Sequence, residues 1–530
     1  VADRTASPLR DRRFMVLWSA VAAAYLAQWM LPVAAQWFLV GRPGGDVLVP
    51  YVQVAMTLPM ALLAIPAGVM ADRFDRRVLV IGVQVVVLAG EVVLVCLTLG
   101  GVLNPWSMLA LLALLAGGIV VTFTSLSSMV PDLVETNAIP RASALLTIAT
   151  NGTRVLGPAI AGFILAATSV GVAFAAAIPA TVVLLIVLSV LKIPPPAADR
   201  MQERWLSAAV IGVRFVQHSP QALKLISRTF WFTFGVMALL SMLPVLATRL
   251  GAGASALGLV LACQGAGAVL GAVTLPRLDA MARQNTVVTI GFVVAGVSLA
   301  VAAAAPNTVV LGAATVLAGW AWTTVLATDQ AALQMYLPGW VRARGISVMM
   351  IATFAGQAFG AAVFGWIGSA FSMVAMLVIA AVWLLTGSLL GVFLPLRDLG
   401  ERDVSAVPAW VSPEIVVDAE AQARPMQVRV LYDVPFATEG EFVDIMAHIR
   451  LIRLRTGALR WQLLADPAVD GRYYEEYMVA SWVDHEMQIR MRAIAADHEV
   501  EMRLRELVRG DPETSYAFRV DVAGVAAMRH

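Results

Sequence analysis

Charge is scarce in this sequence. Only 14% of its 530 residues are Asp, Glu, Lys or Arg, whereas a soluble domain carries about 25%. Two of the 37 basic residues are lysines, Lys192 and Lys224. Cysteine is nearly absent. Cys96 and Cys263 each lie inside an apolar stretch, so neither a disulfide framework nor a thiolate metal site is implied. No His/Cys cluster has metal spacing. The phosphate-cradling pattern G-x-x-x-x-G-K-[ST] is missing, which disfavours an ATP-driven pump. No catalytic residue, metal or organic cofactor is expected, and no nucleic-acid partner. What the chain has instead is apolar residues, 60% of the total. An excess of that size points to a lipid bilayer rather than to a large core.

A membrane helix needs ~20 mostly apolar residues. Twelve stretches qualify: 14–40, 49–71, 78–99, 107–130, 144–167, 170–191, 225–249, 255–275, 286–305, 308–335, 346–369 and 372–395. The first is too long for the apolar core of a signal peptide and lacks a cleavage site, so it is expected to be retained. Arginine and lysine alternate sharply between the connections. Arg10, Arg12, Arg13, Arg73, Arg76, Arg77, Arg141, the group from Lys192 to Arg228, Arg277, Arg283, Arg342, Arg344, Arg397 and Arg402 fall on one side; Arg42 and Arg249 fall on the other. Positive residues mark the cytoplasmic side. Both ends of the chain are therefore expected in the cytoplasm, with an even number of spans. The predicted localisation is a bacterial cytoplasmic membrane.

The spans divide six and six, at residues 1–191 and 225–396, around a divider at 192–224. The divider opens with three prolines, Pro194 to Pro196, a stiff extended run. Trp205, Ala209, Val213 and Val216 then recur at helical spacing. They describe a helix lying in the interface or packed on the bundle. The halves also repeat. SALLTIATNGTRVLGPAIAGFI from Ser143 matches SVMMIATFAGQAFGAAVFGWI from Ser347, pairing Gly157 with Gly360 and Gly162 with Gly365. Duplication of this kind suits two halves that rock about a central site.

Between the second and third spans stands Gly68-Val-Met-Ala-Asp72-Arg73-Phe-Asp75-Arg76-Arg77. Its arginines pin a tight turn, Gly68 is small enough for a close neighbour, and Asp72 is placed to accept bonds from the next helix. Gly271 to Arg277 echoes it without the acid. This run resembles the loop signature of the major facilitator superfamily. The variant with Asp75 is similar to transmembrane secretion effectors of the enterobactin-exporter type. That resemblance implies a twelve-helix fold of two pseudo-symmetric halves. It also implies outward transport of a small organic molecule such as a drug, siderophore or secondary metabolite. The expected driving force is the proton motive force, and the loop, through Gly68, Asp72, Arg73, Arg76 and Arg77, is the conformational latch.

The fifth span carries Gly152, Gly157, Pro158 and Gly162, which resemble the Gly-Pro signature of exporters in that superfamily. Small residues permit close helix packing, and Pro158 frees a carbonyl and bends the helix. Arg154 is a charge deep in an apolar helix, a functional candidate by its cost alone. It suits an anionic substrate, a proton relay, an ion pair or a carbonyl clamp. Glu91, midway along the third span, is its natural partner or a proton carrier. Asp329 in the tenth span is directed to the central cavity or serves as a loop pin. Gln28 and Gln36 share a face of the first span, and with Gln357 they are candidate cavity residues.

After Pro395 the composition changes. Residues 397–423 read as a linker and 424–522 as a soluble domain. QVRVLYDV, ALRWQLLA, RYYEEYMVASW and SYAFRVDV read as strands, and 438–455 and 484–508 as helices. The order β-α-β-β-α-β is the ferredoxin-like plan. SWVDHEMQIR to AADHEV resembles the dimeric α/β-barrel domains related to antibiotic-biosynthesis monooxygenases. The resemblance implies homodimers through this domain, and alternatively monooxygenase-like chemistry or cargo sensing. His448, His485 and His498 read as surface or interface histidines.

Overall fold

Lipid offers no partners to backbone N–H and C=O groups, so each apolar stretch closes its own hydrogen bonds as a helix. The computed structural model describes residues 11–40, 42–134, 138–191, 212–251, 253–393, 424–492 and 494–518. The helices are α1 (Arg12–Val40), α2 (Val49–Arg73), α3 (Arg76–Leu99), α4 (Pro105–Leu133), α5 (Ile139–Ala167), α6 (Val170–Ala175) and α7 (Ala177–Val190). They continue as α8 (Pro220–Arg249), α9 (Ala254–Met281), α10 (Gln284–Ala303), α11 (Thr308–Tyr336), α12 (Gly339–Ala370) and α13 (Met373–Phe393). Among the described residues ten stretches are long and apolar enough to cross a membrane, and two shorter apolar helices, Gly152–Ala167 and Met373–Leu389, complete the twelve. The sixth span is not one helix. It is broken at Ala176, because Pro179 has no N–H for the carbonyl of Ala175 and its ring crowds that carbonyl.

Contacts group the chain into two compact units. One comprises 1–201, 226–330 and 349–395, and the other 202–225, 331–348 and 396–530. Within the first unit, α5 packs on α1 and on α9, and α2 packs on α4. Glycine sets these approaches. A Cβ on Gly157 would lie 2.7 Å from the Cβ of Trp29 in α1. One on Gly162 would collide with the backbone of Gly258 in α9. The repeat partners behave alike. Gly360 of α12 abuts the backbone of Phe234 in α8, and a Cβ on Gly365 would lie 2.5 Å from Pro50 in α2. The sequence duplication is therefore also a duplication of contacts. Gly162 with Gly258, Gly365 with Pro50, and Gln36 Nε2 reaching Ser241 O at 3.5 Å all join the two halves on the arginine-poor side.

Two of the small-residue positions show no close approach: among the described residues, a Cβ at Gly68 or at Gly152 meets nothing within 4 Å. The turn after α2 is held by other means. Phe74 leaves the helix in an extended conformation, and Asp75 caps α3 by accepting from Val78 N at 2.9 Å. Arg77 donates through Nε to Leu188 O at 2.7 Å and through Nη2 to Ser189 O at 2.5 Å. It thereby satisfies carbonyls at the end of α7 that the helix itself leaves open. The side chains of Asp72 and Arg73 lie outside the described residues, as do 397–423 and most of the divider. The divider is described from residue 212. There 212–217 are helical, Phe215 and Val216 are buried, and Phe215 meets Trp340 of α12 edge-on at 5.6 Å.

The carboxy-terminal part is a four-stranded antiparallel sheet, β1 (Met426–Asp433), β2 (Arg460–Ala465), β3 (Arg472–Val479) and β4 (Glu513–Phe518), in the order β2-β3-β1-β4. With α14 (Glu439–Thr456) after β1, this is the ferredoxin-like arrangement. Along β1 the residues Met426, Val428, Val430 and Tyr432 are buried, with Gln427, Arg429 and Asp433 exposed between them. On α14 the buried Phe442, Met446, Ile449 and Ile452 recur at helical spacing. The expected long helix 484–508 is instead two, α15 (Trp482–Arg490) and α16 (Ala495–Glu506). Arg492 and Ile494 are both buried. Residues two apart on a helix face nearly opposite ways, so the chain unwinds to turn both inward. Arg492 donates to Thr456 O at 2.9 Å and lies 5.6 Å over the Trp340 ring.

Two substitutions test this packing. Asp75→Ala removes a helix cap and is expected to lower stability by about 1 kcal/mol, with Asp75→Asn restoring most of it; thermal unfolding in detergent measures both. Gly162→Leu drives a side chain into Gly258 and costs ~1–3 kcal/mol in the closed arrangement. Spin labels at Val102→Cys and Val309→Cys, in a background with Cys96 and Cys263 replaced by Ser, are expected to report longer distances. An unchanged distance distribution would show that the glycine contact does not hold the halves together.

Candidate functional site

The membrane charges occupy three separate places. Arg154 stands midway along α5, at the boundary between the halves. Its Nη2 donates to Oε1 of Gln357 in α12 at 3.2 Å. Gln53 Nε2 in α2 donates to the same oxygen at 3.4 Å. Gln357 is fully buried and anchors itself by donating from Nε2 to Thr353 O at 3.3 Å. Arg154 and Gln357 occupy equivalent positions of the repeat, so the two halves meet here through matching residues. The guanidinium lies 5.0 Å from the Trp29 ring of α1 and 5.0 Å from the Trp322 ring of α11. Each half supplies one indole. Pro158 lacks the N–H that the Arg154 carbonyl would otherwise accept, so polar backbone adds to the same level.

No carboxylate neutralises Arg154 among the described residues. The expected pairing with Glu91 is not formed, because α3 directs Glu91 toward α7 rather than toward α5. Thr181 donates to Glu91 Oε1 at 3.0 Å, and Oε2 has no partner among the described residues. Glu91 is 1% exposed, and its hydrogen-bond partner Thr181 belongs to the amino-terminal half. Asp329 is likewise buried, in the carboxy-terminal half. Thr229 of α8 donates to its Oδ2 at 3.1 Å, and Arg228 lies within electrostatic reach. Arg228 in turn donates to Asn285 Oδ1 at 2.8 Å, and Asn285 Nδ2 donates to Gly391 O at 2.7 Å. This chain ties α8, α10, α11 and α13 together near their arginine-rich ends.

Gln28 sits beside Trp29 in sequence, 2% exposed, with neither amide atom partnered among the described residues. Gln36 lies seven residues beyond Trp29, roughly 10 Å along the helix, and reaches α8. Of the predicted polar set the structure brings Arg154 and Gln357 together and leaves Glu91, Asp329 and Gln36 apart. Gln53 is a polar candidate that the sequence offers as well, whereas Trp322 and Thr181 were not singled out there. For Trp322 the signal was available: a tryptophan midway along a span is too deep to be an interfacial anchor.

The sheet domain holds a cavity of about 50 Å³ between its sheet and helices, lined in part by Tyr432, Arg453, Tyr477, His485, Gln488 and Tyr516. The reading of His485 as a surface or interface histidine is corrected here, because it is 1% exposed within the single chain. It stands on the inward face of α15, one residue group with Trp482 and Gln488 at helical spacing. Burial and the nearby Arg453 push its imidazole down to about 4. His448 is exposed and bonded to Asp444 O at 3.1 Å.

The sequence profile described as transmembrane secretion effector matches residues 4–523. The chain is 27% identical over 262 residues to the staphyloferrin A transporter of Staphylococcus aureus, covering 48% of this chain and 64% of that one. It is 26% identical over 317 residues to the enterobactin exporter EntS of Shigella boydii, covering 58% and 74%. Against macrolide efflux protein A of Streptococcus pyogenes the figures are 21% over 190 residues, 36% of this chain and 47% of that one. The chain thus spans about half the length of the macrolide efflux protein. Among solved structures it resembles a bacterial homologue of the lysosomal transporter Spinster in an inward-facing, unoccupied conformation, with a TM-score of 0.58 at 15% identity over 72% of this chain and 98% of that one. The nucleoside transporter NupG gives 0.60 at 12% identity over 72% and 99%. These likenesses give the fold. The profile runs through the membrane helices and on into the sheet domain, and the chain belongs to the transmembrane secretion effectors of the major facilitator superfamily.

Proposed function

We propose that this transporter exports a small anionic organic molecule from the cytoplasm across a bacterial cytoplasmic membrane by alternating access, driven by proton return. The observation that carries the reading is Arg154. It is a cation at mid-helix depth, on the boundary of the halves, with π faces and an amide oxygen around it and no carboxylate among the described residues. A charge so placed invites an anion, and the two indoles offer flat apolar contact to the rest of a cargo molecule. The relatives named for siderophores and macrolides support outward movement of organic molecules.

The closure of the halves on the arginine-poor side, through Gly162 and Gly258 and through Gly365 and Pro50, supports a state from which cargo is loaded on the arginine-rich side. Opening that seal separates Trp29 and Arg154 from Trp322 and Gln357, so the site is divided between the halves as the cargo leaves. Proton return needs a carboxylate that can change its charge inside the membrane. Glu91 and Asp329 supply it among the described residues. Glu91 is the simpler carrier, since only a hydroxyl is bonded to it. Asp329 is tied into the Arg228 chain and couples its charge to the packing of four helices. The arginines at 76 and 77 fix the loop on the cytoplasmic side, and the sheet domain is cytoplasmic with them.

Everted vesicles with an internal pH probe test this reading. A panel of carboxylate- and catecholate-bearing metabolites is expected to contain a molecule whose uptake dissipates the proton gradient. Arg154→Ala removes a charge-assisted contact of ~1.5–3 kcal/mol and is expected to lower that uptake by about tenfold to a hundredfold. Arg154→Lys keeps the charge and loses the planar stacking, so an intermediate rate is expected. Glu91→Gln is expected to leave cargo exchange intact and abolish proton-linked accumulation. A cargo that moves equally well with Arg154→Ala, or a panel in which only cations move, would sink the anion assignment.

A further inference from the structure

We infer that the cavity inside the sheet domain is a binding site for a small neutral molecule that both donates and accepts hydrogen bonds, held by His485 and Gln488. The site is separate from the membrane site and does not depend on the export reading. Nδ1 and Nε2 of His485 and Oε1 of Gln488 make no well-aligned hydrogen bond among the described residues, and the contact that His485 does have is a side-chain one with Gln488 itself. Both side chains are more than nine-tenths buried, at 1% and 5% exposure. Folded proteins leave few buried polar groups unsatisfied, because each forfeits the bonds it made to water. Even with that contact made, one ring nitrogen of His485 stays open beside the cavity, which marks a place where an occupant supplies the partner.

The charges around the cavity determine the class of that occupant. Arg453 is met by Glu475 at 3.1 Å and by Glu501 at 2.8 Å, and Arg455 is paired with Asp497. Glu475 also accepts from Tyr432 Oη at 2.8 Å and from Trp461 Nε1 at 2.9 Å. The charges at the wall are thus bonded to one another, with three carboxylates to two guanidiniums, so an anionic occupant would meet no free cation, and the side chains with open polar atoms are neutral. The neutral imidazole offers one N–H donor and one nitrogen acceptor, and Gln488 adds a second acceptor. An occupant complementary to these groups carries a hydroxyl or an amide.

The remaining wall is apolar and aromatic. Tyr516, Trp482 and Tyr477 surround His485 with ring centroids 5.4, 6.0 and 6.2 Å away. Val430, Ile452 and Ile489 close the other sides. A cavity of about 50 Å³ has room for about four water-sized groups. The occupant is therefore a small hydroxyl or amide compound whose apolar part is flat.

The test uses the full chain in detergent, labelled with ¹⁵N in its histidine rings. The sequence has five histidines, and the His485 signals are assigned by their loss in His485→Phe. Phenol and acetamide are the neutral probes, and sodium acetate is the charged control. Both neutral probes are expected to shift the His485 ring signals saturably while leaving those of exposed His448 in place. Gln488→Leu is expected to weaken this binding about tenfold, the loss for one bond to a buried acceptor. It is read on the native His485 and so does not depend on the folding of His485→Phe. Acetate is expected to cause no saturable shift. The inference is overturned if neither neutral probe shifts His485 saturably, in which case the cavity holds water only. It is also overturned if Gln488→Leu leaves the affinity unchanged, or if acetate binds as tightly as acetamide.

Discussion

Every charge carried into the membrane helices has to be met by groups of the chain itself, because lipid supplies none. The three places where this happens organise the transporter. Glu91 is met by one hydroxyl within the amino-terminal half. Asp329 is met by Thr229 beside Arg228, within the carboxy-terminal half. Arg154 alone is met by both halves together, with Trp29 from one and Trp322 and Gln357 from the other. Its surroundings therefore depend on how the halves stand. The other two charges keep their partners however the halves move.

The architecture was legible because its causes are local. Hydrophobic length gives the spans, the placement of arginine gives the sidedness expected of them, and alternation with turn residues gives the sheet domain. The family was legible for another reason, since the run from Gly68 to Arg77 carries several constraints in ten positions. What could not be read was the direction in which each side chain points. Glu91 and Arg154 looked like partners because both are charges at mid-helix, yet their helices present them to different neighbours. Gly68, Gly152, Gly157 and Gly162 look alike as packing glycines, yet among the described residues only Gly157 and Gly162 of the four meet another helix. A glycine in a sequence states only that a side chain is missing. Whether a neighbour uses the space is decided by helix rotation, which depends on the whole bundle. His485 was misjudged for a related reason: a polar residue in an amphipathic segment is placed by default on the wet face.

The duplication joins these observations. Gly157 and Gly360 each seat their helix on the first helix of their own half, and Gly162 and Gly365 each reach across to the other half. The repeat has kept its contacts while losing its chemistry. At the equivalent positions 154 and 357 one half carries a cation and the other an amide, and the two touch. The same residue in both copies would set two cations against each other, or leave none, so the difference at this pair gives a single charged site on a nearly symmetric frame.

The contact of Gly162 with Gly258 also constrains the order in which this sequence can change. A methyl group on Gly258 would stand 3.1 Å from the backbone of Gly162, so that backbone has to give by a few tenths of an ångström, whereas one on Gly162 would overlap the Cα of Gly258. The two positions are thus not equivalent steps of a mutational path. Alanine at 258 asks for a slight parting of α5 and α9, and alanine at 162 asks for a wide one.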